Sequence, residues 1–274
     1  LVALLMRVFM RITVLKPLDI IGDVADKIGA GDLSVQARVK SEDEIGVLAR
    51  RINSMIKGLQ ERLHLTKFVS DEAVSAVKHA GVEGLDLGGK RKEVTIMETD
   101  IRGYTSMSEK MEPEEVVALI NSYLDKQTEI INNNAGDIDK FIGDAILASF
   151  MGDKMADNAV RCAINIQKEM KKLNKKLGSA TMFGIGINTG PVIMGPIGSK
   201  DRMDYTVIGD HVNLACRLCD AAEPGEIIIS SNTEKHLTVN QFKLKKLDPV
   251  SVKGKKKTIE IFQVMIESEK KVSN

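Results

Sequence analysis

The chain has 274 residues, 39 Lys and Arg against 38 Asp and Glu, a formal net charge of +1, 43% hydrophobic residues and no Trp. That length suggests two domains with enough apolar residues for a sizeable core, and the composition excludes disorder and collagen-like repeats. Near-neutrality and few aromatic residues argue against a surface built to grip nucleic acid, so function is expected in a localised site and nucleic acid is not expected as a partner.

Residues 1–6 are apolar and run into Arg7, Arg11 and Lys16. They are too short for the roughly 18 residues that cross a bilayer, yet an apolar end followed by basic residues is the pattern at the inner end of a membrane helix. The expectation is a fragment on the cytoplasmic side of a cell inner membrane, attached through a missing upstream transmembrane segment; an ordinary amphipathic helix start accounts for the same six residues. Cys162, Cys216 and Cys219 are too few and too uneven for a disulfide framework, which fits a reducing compartment.

Val14, Leu18, Ile21, Val24 (or Ala25) and Ile28 recur at helical spacing, and Gly29, Gly31 and Asp32 end that helix. An extended connector with Val35 and Val39 on one side follows. Leu48, Ile52, Met55, Leu59 and Leu63 then form a second, near-heptad stripe. Two copies associating as a parallel four-helix bundle would bury both stripes. Lys16-Pro17-Leu18, Gly31-Asp32-Leu33 and Asp43-Glu44-Ile45-Gly46, in this order, make residues 1–64 resemble a HAMP signalling domain. The resemblance implies a dimeric relay from a membrane sensor. Residues 65–90 read as a helical connector that dissolves into glycines.

From Glu93 strands alternate with amphipathic helices. Strands are expected at 94–99, on either side of Gly143-Asp144 within 137–150, and at 181–188, 227–229 and 258–265; helices are expected at 113–132, 157–177 and 212–222. The fold class is α+β, with helices over a mostly antiparallel sheet. Asp100 ends an apolar strand and precedes Ile101-Arg102-Gly103-Tyr104-Thr105, where a glycine lets backbone amides turn toward an anion. Asp144 sits at a turn between strands. Two such carboxylates suit hard cations that share their shell with phosphates, although single Asp residues in turns usually only shape the turn.

EVTIMETDIRGYTSMSE, GDIDKFIGDAILASF, FGIGINTGPVIMG, MDYTVIGDHVNLACRL and the later VKGK occur in this order. Together they make residues 91–267 resemble the catalytic domain of a class III nucleotide cyclase, a ferredoxin-like fold, with 268–274 a C-terminal tail. The resemblance implies that ATP closes on itself to give 3′,5′-cyclic AMP and pyrophosphate, with two Mg²⁺ or Mn²⁺ ions per site. Asp100 and Asp144 match the family's metal ligands, with the Ile101 carbonyl as an extra ligand, and the amides of Ile101, Gly103, Tyr104 and Thr105 would cradle phosphates. Asn213 and Arg217 match the ribose-orienting and transition-state residues; their spacing of four puts them on one helix face, opposite Val212, Ala215, Cys216 and Cys219. Lys140 and Thr206 match the purine-reading pair. An ammonium only donates and a hydroxyl can accept, which favours adenine over guanine. Lys255, with Lys253 the alternative, matches a phosphate-binding lysine.

Because the family draws its metal ligands and its purine-reading residues from different subunits, a homodimer is implied. The rivals are a guanylate cyclase and a degenerate nucleotide-binding signalling module. Glu98, where the family commonly has an apolar residue, is the departure that favours the second rival. Cys216-x-x-Cys219, a lone pair, is expected to pack in the core rather than bind zinc.

Overall fold

The computed structural model describes residues 1–80, 87–249 and 258–266, and the chain divides into two units, Leu1–Phe68 and Val69–Asn274. In the first unit, helix α1 (Val2–Met10) continues through a π-helical turn, Arg11–Leu15, into α2 (Lys16–Gly29). The turn has a local cause. Pro17 has no N–H to offer the preceding turn, and the ladder widens just ahead of it.

Helix α3 (Glu44–Leu65) starts where Asp43 accepts the Ile45 and Gly46 N–H groups. A side chain at Gly46 would meet the Ser41 carbonyl oxygen at 1.8 Å, so Asp43 and Gly46 both have structural reasons in this motif. The connector is pinned by side chains that the sequence pattern did not single out. Asn53 accepts from the Ala37 N–H (2.8 Å) and donates to its carbonyl (3.0 Å), while Gln60 donates to the Leu33 carbonyl at 2.7 Å.

The buried cluster here is Ile21, Val24, Ala37, Ala49 and Ile56, with Ile28, Val35, Val39, Ile45 and Ile52 against it. Of the second stripe, a single chain packs only Ile52 against this cluster. Within one chain α3 turns Ala49 and Ile56 inward, and Leu48, Met55 and Leu63 lie exposed. The apolar positions of α3 form two adjacent seams, of which a single chain buries one.

The second unit begins with α4 (Asp71–Ala80) and is built on an eight-stranded sheet. Its strands are β1 (Lys90–Arg102), β2 (Gly136–Ile142), β3 (Ala145–Phe150), β4 (Met182–Gly198), β5 (Met203–Ile208), β6 (Ile227–Ser230), β7 (Leu244–Lys246) and β8 (Ile261–Val264). The order is β2-β3-β1-β4-β6-β8-β7, with β5 paired to β4; β4 and β6 are parallel and the other pairings antiparallel. The helices are α5 (Tyr104–Ser108), α6 (Pro113–Asn133), α7 (Met155–Leu177), α8 (Asp210–Ala221) and α9 (Ser231–Lys235).

Alternation along the strands supplies two faces. Met97, Ile146, Phe183, Ile185 and Ile187 pack under Tyr123 and Ile131 of α6 and Ala163, Ile166 and Met170 of α7. Val94, Ile96, Leu147 and Val192 point the other way, against Val212 and Ala215 of α8. The mixed sheet with helices is the expected α+β class. Two expectations were too short. β1 runs on through Asp100 to Arg102, and the strand expected at 181–188 extends to Gly198 because β5, an unexpected strand, pairs with its second half.

Candidate active site

Asp100 lies on the α8 face of β1, and Asp144 starts the step from the β2–β3 turn into β3. The two carboxyl groups hydrogen-bond, and burial together with Asp144 pushes Asp100 up to about 6. Arg102 opposes that shift with a 2.9 Å ion pair to Asp100. Two adjacent carboxylates that resist carrying both charges fit a hard divalent cation, which would relieve the repulsion. Among the described residues no cluster of three or more His, Cys, Asp or Glu could hold a metal, so a cation here would need backbone, phosphate or water oxygens as well.

One expectation is corrected at this point. The Ile101 N–H is spent on Asp144, donating to Oδ2 at 3.1 Å, and Ile101 is buried, so its amide is not a phosphate donor. Its carbonyl keeps its candidacy as a ligand. Gly103 takes a left-handed φ of 73° and caps α5, which puts Tyr104 and Thr105 in a first helical turn, where amides lack intrahelical acceptors.

Lys140 on β2 and Thr206 on β5 are brought together by a residue that sequence reasoning passed over. Asp139 accepts from the Thr206 hydroxyl (2.8 Å at Oδ2) and the Val207 N–H (3.1 Å at Oδ1), and its Oδ2 lies 3.4 Å from the Lys140 ammonium. The Asp139 side chain is 7% exposed and that of Lys140 38%, so one is a buried anchor and the other reaches the surface. Burial raises the Asp139 pKa, and the three donors oppose it. The signal was present in the sequence as an acid beside Lys140, but its partners are 67 and 68 residues away.

Asn213 and Arg217 are exposed on one face of α8, and Val212, Ala215 and Cys219 are buried on the other. The helix is seated by contacts that pattern reading missed. Asn188 of β4, fully buried, donates to the His211 carbonyl at 2.8 Å and accepts from Ser230 at 2.6 Å. Cys219 donates to the Gly184 carbonyl at 3.3 Å. Burial pushes the Cys216 thiol up to about 12 and raises Cys219 as well, which suits packing and not thiolate chemistry. Glu98 faces the same helix. It hydrogen-bonds with Cys216, burial raises its pKa, and its Oε2 has no partner. Lys253 and Lys255 lie outside the described residues.

A family model described as the adenylate and guanylate cyclase catalytic domain matches residues 89–266, and a HAMP domain model matches residues 9–61. An adenylate cyclase of Anabaena cylindrica is 38% identical over 260 residues, covering 87% of this chain and 52% of that protein. The chain therefore spans about half the length of that relative. The adenylyl cyclase CyaB of P. aeruginosa superimposes with a TM-score of 0.63 at 36% identity, covering 67% of this chain and 98% of that one. The guanylyl cyclase Cya2 does so with a TM-score of 0.59 at 37% identity, covering 67% and 96%. Overall likeness does not discriminate between the purines.

Proposed function

This chain belongs to the adenylate and guanylate cyclase family and carries a HAMP domain ahead of the catalytic domain, and we propose on that premise that it is an adenylate cyclase acting as a homodimer. The observation that carries the choice of substrate is the Lys140–Asp139–Thr206 cluster, which offers an ammonium donor beside a hydroxyl. The ammonium suits the adenine N1 acceptor and the hydroxyl suits the 6-amino group. The Anabaena and CyaB relatives, both adenylate cyclases by name, support the same reading.

In this reading the 3′-hydroxyl of ATP gives its proton to water, its oxygen attacks the α-phosphorus, the bond from that phosphorus to the α,β-bridging oxygen breaks, and pyrophosphate leaves. Lys140 and Thr206 hold the purine, Asn213 orients the ribose, and Arg217 meets the charge developing on the α-phosphate. The first turn of α5, with Gly103, Tyr104 and Thr105, faces the terminal phosphates, to which Lys255, or Lys253 in its place, would add a cation as the family resemblance implies. Two Mg²⁺ or Mn²⁺ ions, held by Asp100, Asp144 and the Ile101 carbonyl, would lower the pKa of the attacking hydroxyl and neutralise the triphosphate.

Exposed Leu48, Met55 and Leu63 on α3, and exposed Phe141, Ile142 and Ile208 beside the purine pair, support a second copy as the partner that covers them. The expected domain division of 1–64, 65–90 and 91–267, and a place on the cytoplasmic side of an inner membrane, belong to the same reading. The exposed apolar side chains of α1 followed by basic residues support the latter; among the described residues no helix is long and apolar enough to cross a membrane.

The test is cyclic nucleotide formation by the purified chain from ATP or GTP with Mg²⁺ or Mn²⁺, beside Asp144→Ala. Cyclic AMP that disappears in the variant is the expected result. Cyclic GMP as the main product would overturn the substrate, and no product from a confirmed dimer would favour the degenerate module.

A further inference from the structure

We propose that Asp139 is the positioning residue that sets the choice of purine, by holding the Thr206 hydroxyl proton so that this side chain offers the substrate only lone pairs. The inference rests on the adenylate cyclase reading and deepens it. A threonine hydroxyl has one proton and two acceptor lone pairs. Left free to rotate, it accepts from a 6-amino group or donates to a 6-oxo group equally well, and so discriminates poorly between the two.

At Thr206 that freedom is removed. The hydroxyl donates to Asp139 Oδ2 at 2.8 Å, and Thr206 is 6% exposed, so no bulk water competes for the proton. The other two partners of Asp139 are obligate donors, the Val207 N–H at 3.1 Å and the Lys140 ammonium at 3.4 Å. These two donors occupy one oxygen each and both require an acceptor, so Asp139 fits as a carboxylate, to which the Thr206 hydroxyl can only donate. With its proton committed, Thr206 accepts from an adenine 6-amino group and presents a lone pair against a 6-oxo oxygen.

The backbone is arranged to make this possible. β2 and β3 pair in register through Ile138 opposite Ala148, then shift so that Lys140 stands opposite Leu147. Asp139 is the extra residue of that bulge. A bulge re-aims the side chain it carries, and here Asp139 turns to β5, a strand that β2 does not pair with. The same contact ties Lys140 to Thr206, so donor and acceptor are set by one carboxylate.

The experiment compares kcat/KM for ATP and for inosine triphosphate, which differs from ATP in carrying a 6-oxo group in place of the 6-amino group and a proton on N1. Wild type, Asp139→Asn and Thr206→Ser are measured, with thermal unfolding of each. In Asp139→Asn the Oδ1 atom can keep the Val207 N–H, but the amide nitrogen donates toward Thr206 and turns its proton to the substrate. The expected result is an ATP preference reduced about tenfold or more, the worth of one net hydrogen bond, while Thr206→Ser keeps the wild-type preference.

An Asp139→Asn variant that folds, makes cyclic product and keeps the wild-type ratio would overturn the inference while leaving the adenylate cyclase reading intact. A wild type that prefers inosine or guanosine triphosphate would overturn that reading instead. Should Asp139→Asn prove unstable, Thr206→Val decides: it removes the hydroxyl and leaves Asp139 in place, and an unchanged ratio there would show that Thr206 does not read the 6-position.

Discussion

Gly186 is where the geometry of the sheet and the chemistry of α8 meet most tightly. It lies in β4 between Glu98 of β1 and Ile228 of β6, and α8 crosses directly over it. A Cβ there would stand 2.1 Å from the Cys219 nitrogen and 2.3 Å from the Ala215 carbonyl oxygen, both backbone atoms, whereas ordinary contact begins at 3.4 Å. Backbone cannot step aside as a side chain does, so Gly186→Ala must lift the helix by about 1.3 Å. Overpacking of this kind costs about 1–3 kcal/mol, a loss that a domain stable by roughly 5–15 kcal/mol survives. Asn213 and Arg217 move with α8, while Lys140 and Thr206 on β2 and β5 do not. A misplacement of about 1 Å at reacting groups costs on the order of 10²-fold, so kcat should fall about 100-fold with a smaller change in KM for ATP. The assay is steady-state cyclic AMP formation at saturating ATP, with denaturant unfolding to establish that the variant is folded. A folded Gly186→Ala enzyme with kcat within about threefold of wild type would refute the argument that the seating of α8 positions these two side chains.

Two further outcomes are expected. Asp137 on β2 accepts the Asp71 and Glu72 N–H groups at the start of α4, at 3.0 and 3.4 Å, and burial, with Asp71 and Glu72 nearby, pushes it from 3.8 up to about 6. A raised folded-state value means that this group's stabilisation is present below about 3.8 and lost as pH rises through about 6; wild type should therefore gain stability between pH 7 and pH 5 by an increment that Asp137→Asn lacks, and equal pH slopes for the two proteins would contradict it. Asn53→Ala strands the N–H and carbonyl of buried Ala37, at a cost of about 1–3 kcal/mol; hydrogen exchange should quicken around residues 33–40 with unfolding of the Val69–Asn274 unit unchanged, and unaltered exchange there would count against the clamp.

Local pattern was enough to place most elements. The stripe of α7 and the alternation of Ile96 and Met97 in β1 are set by burial within one chain, so periodicity reports them directly. The two metal-ligand candidates and the α8 pair were legible because each sits in a run of adjacent residues with its own motif. What stayed hidden depends on contacts far apart in sequence. Asn53 reaches back 16 residues to Ala37, Asn188 crosses 23 residues to His211, and neither carries a local sign of its partner. Which seam of the second HAMP helix a single chain buries stayed hidden for a related reason. Apolar residues on two adjacent seams of α3 give a broad periodic signal, and nothing in the spacing says which seam a single chain buries.

Strand β2 shows why a short motif can carry more than its named residues. Asp137 caps α4, Asp139 fixes Thr206 and Val207, Lys140 reaches outward, and the strand ends in the turn that sets Asp144 against Ile101. These four roles fall within eight consecutive residues. Pairing to β3 resumes on both sides of the Asp139 bulge, so all four positions are referenced to one neighbouring strand. In the proposed reading the Lys140–Thr206 cluster and the metal-ligand candidate Asp144 thereby share a strand with the Asp137 contact to α4, and a change in α4 is expected to register at both.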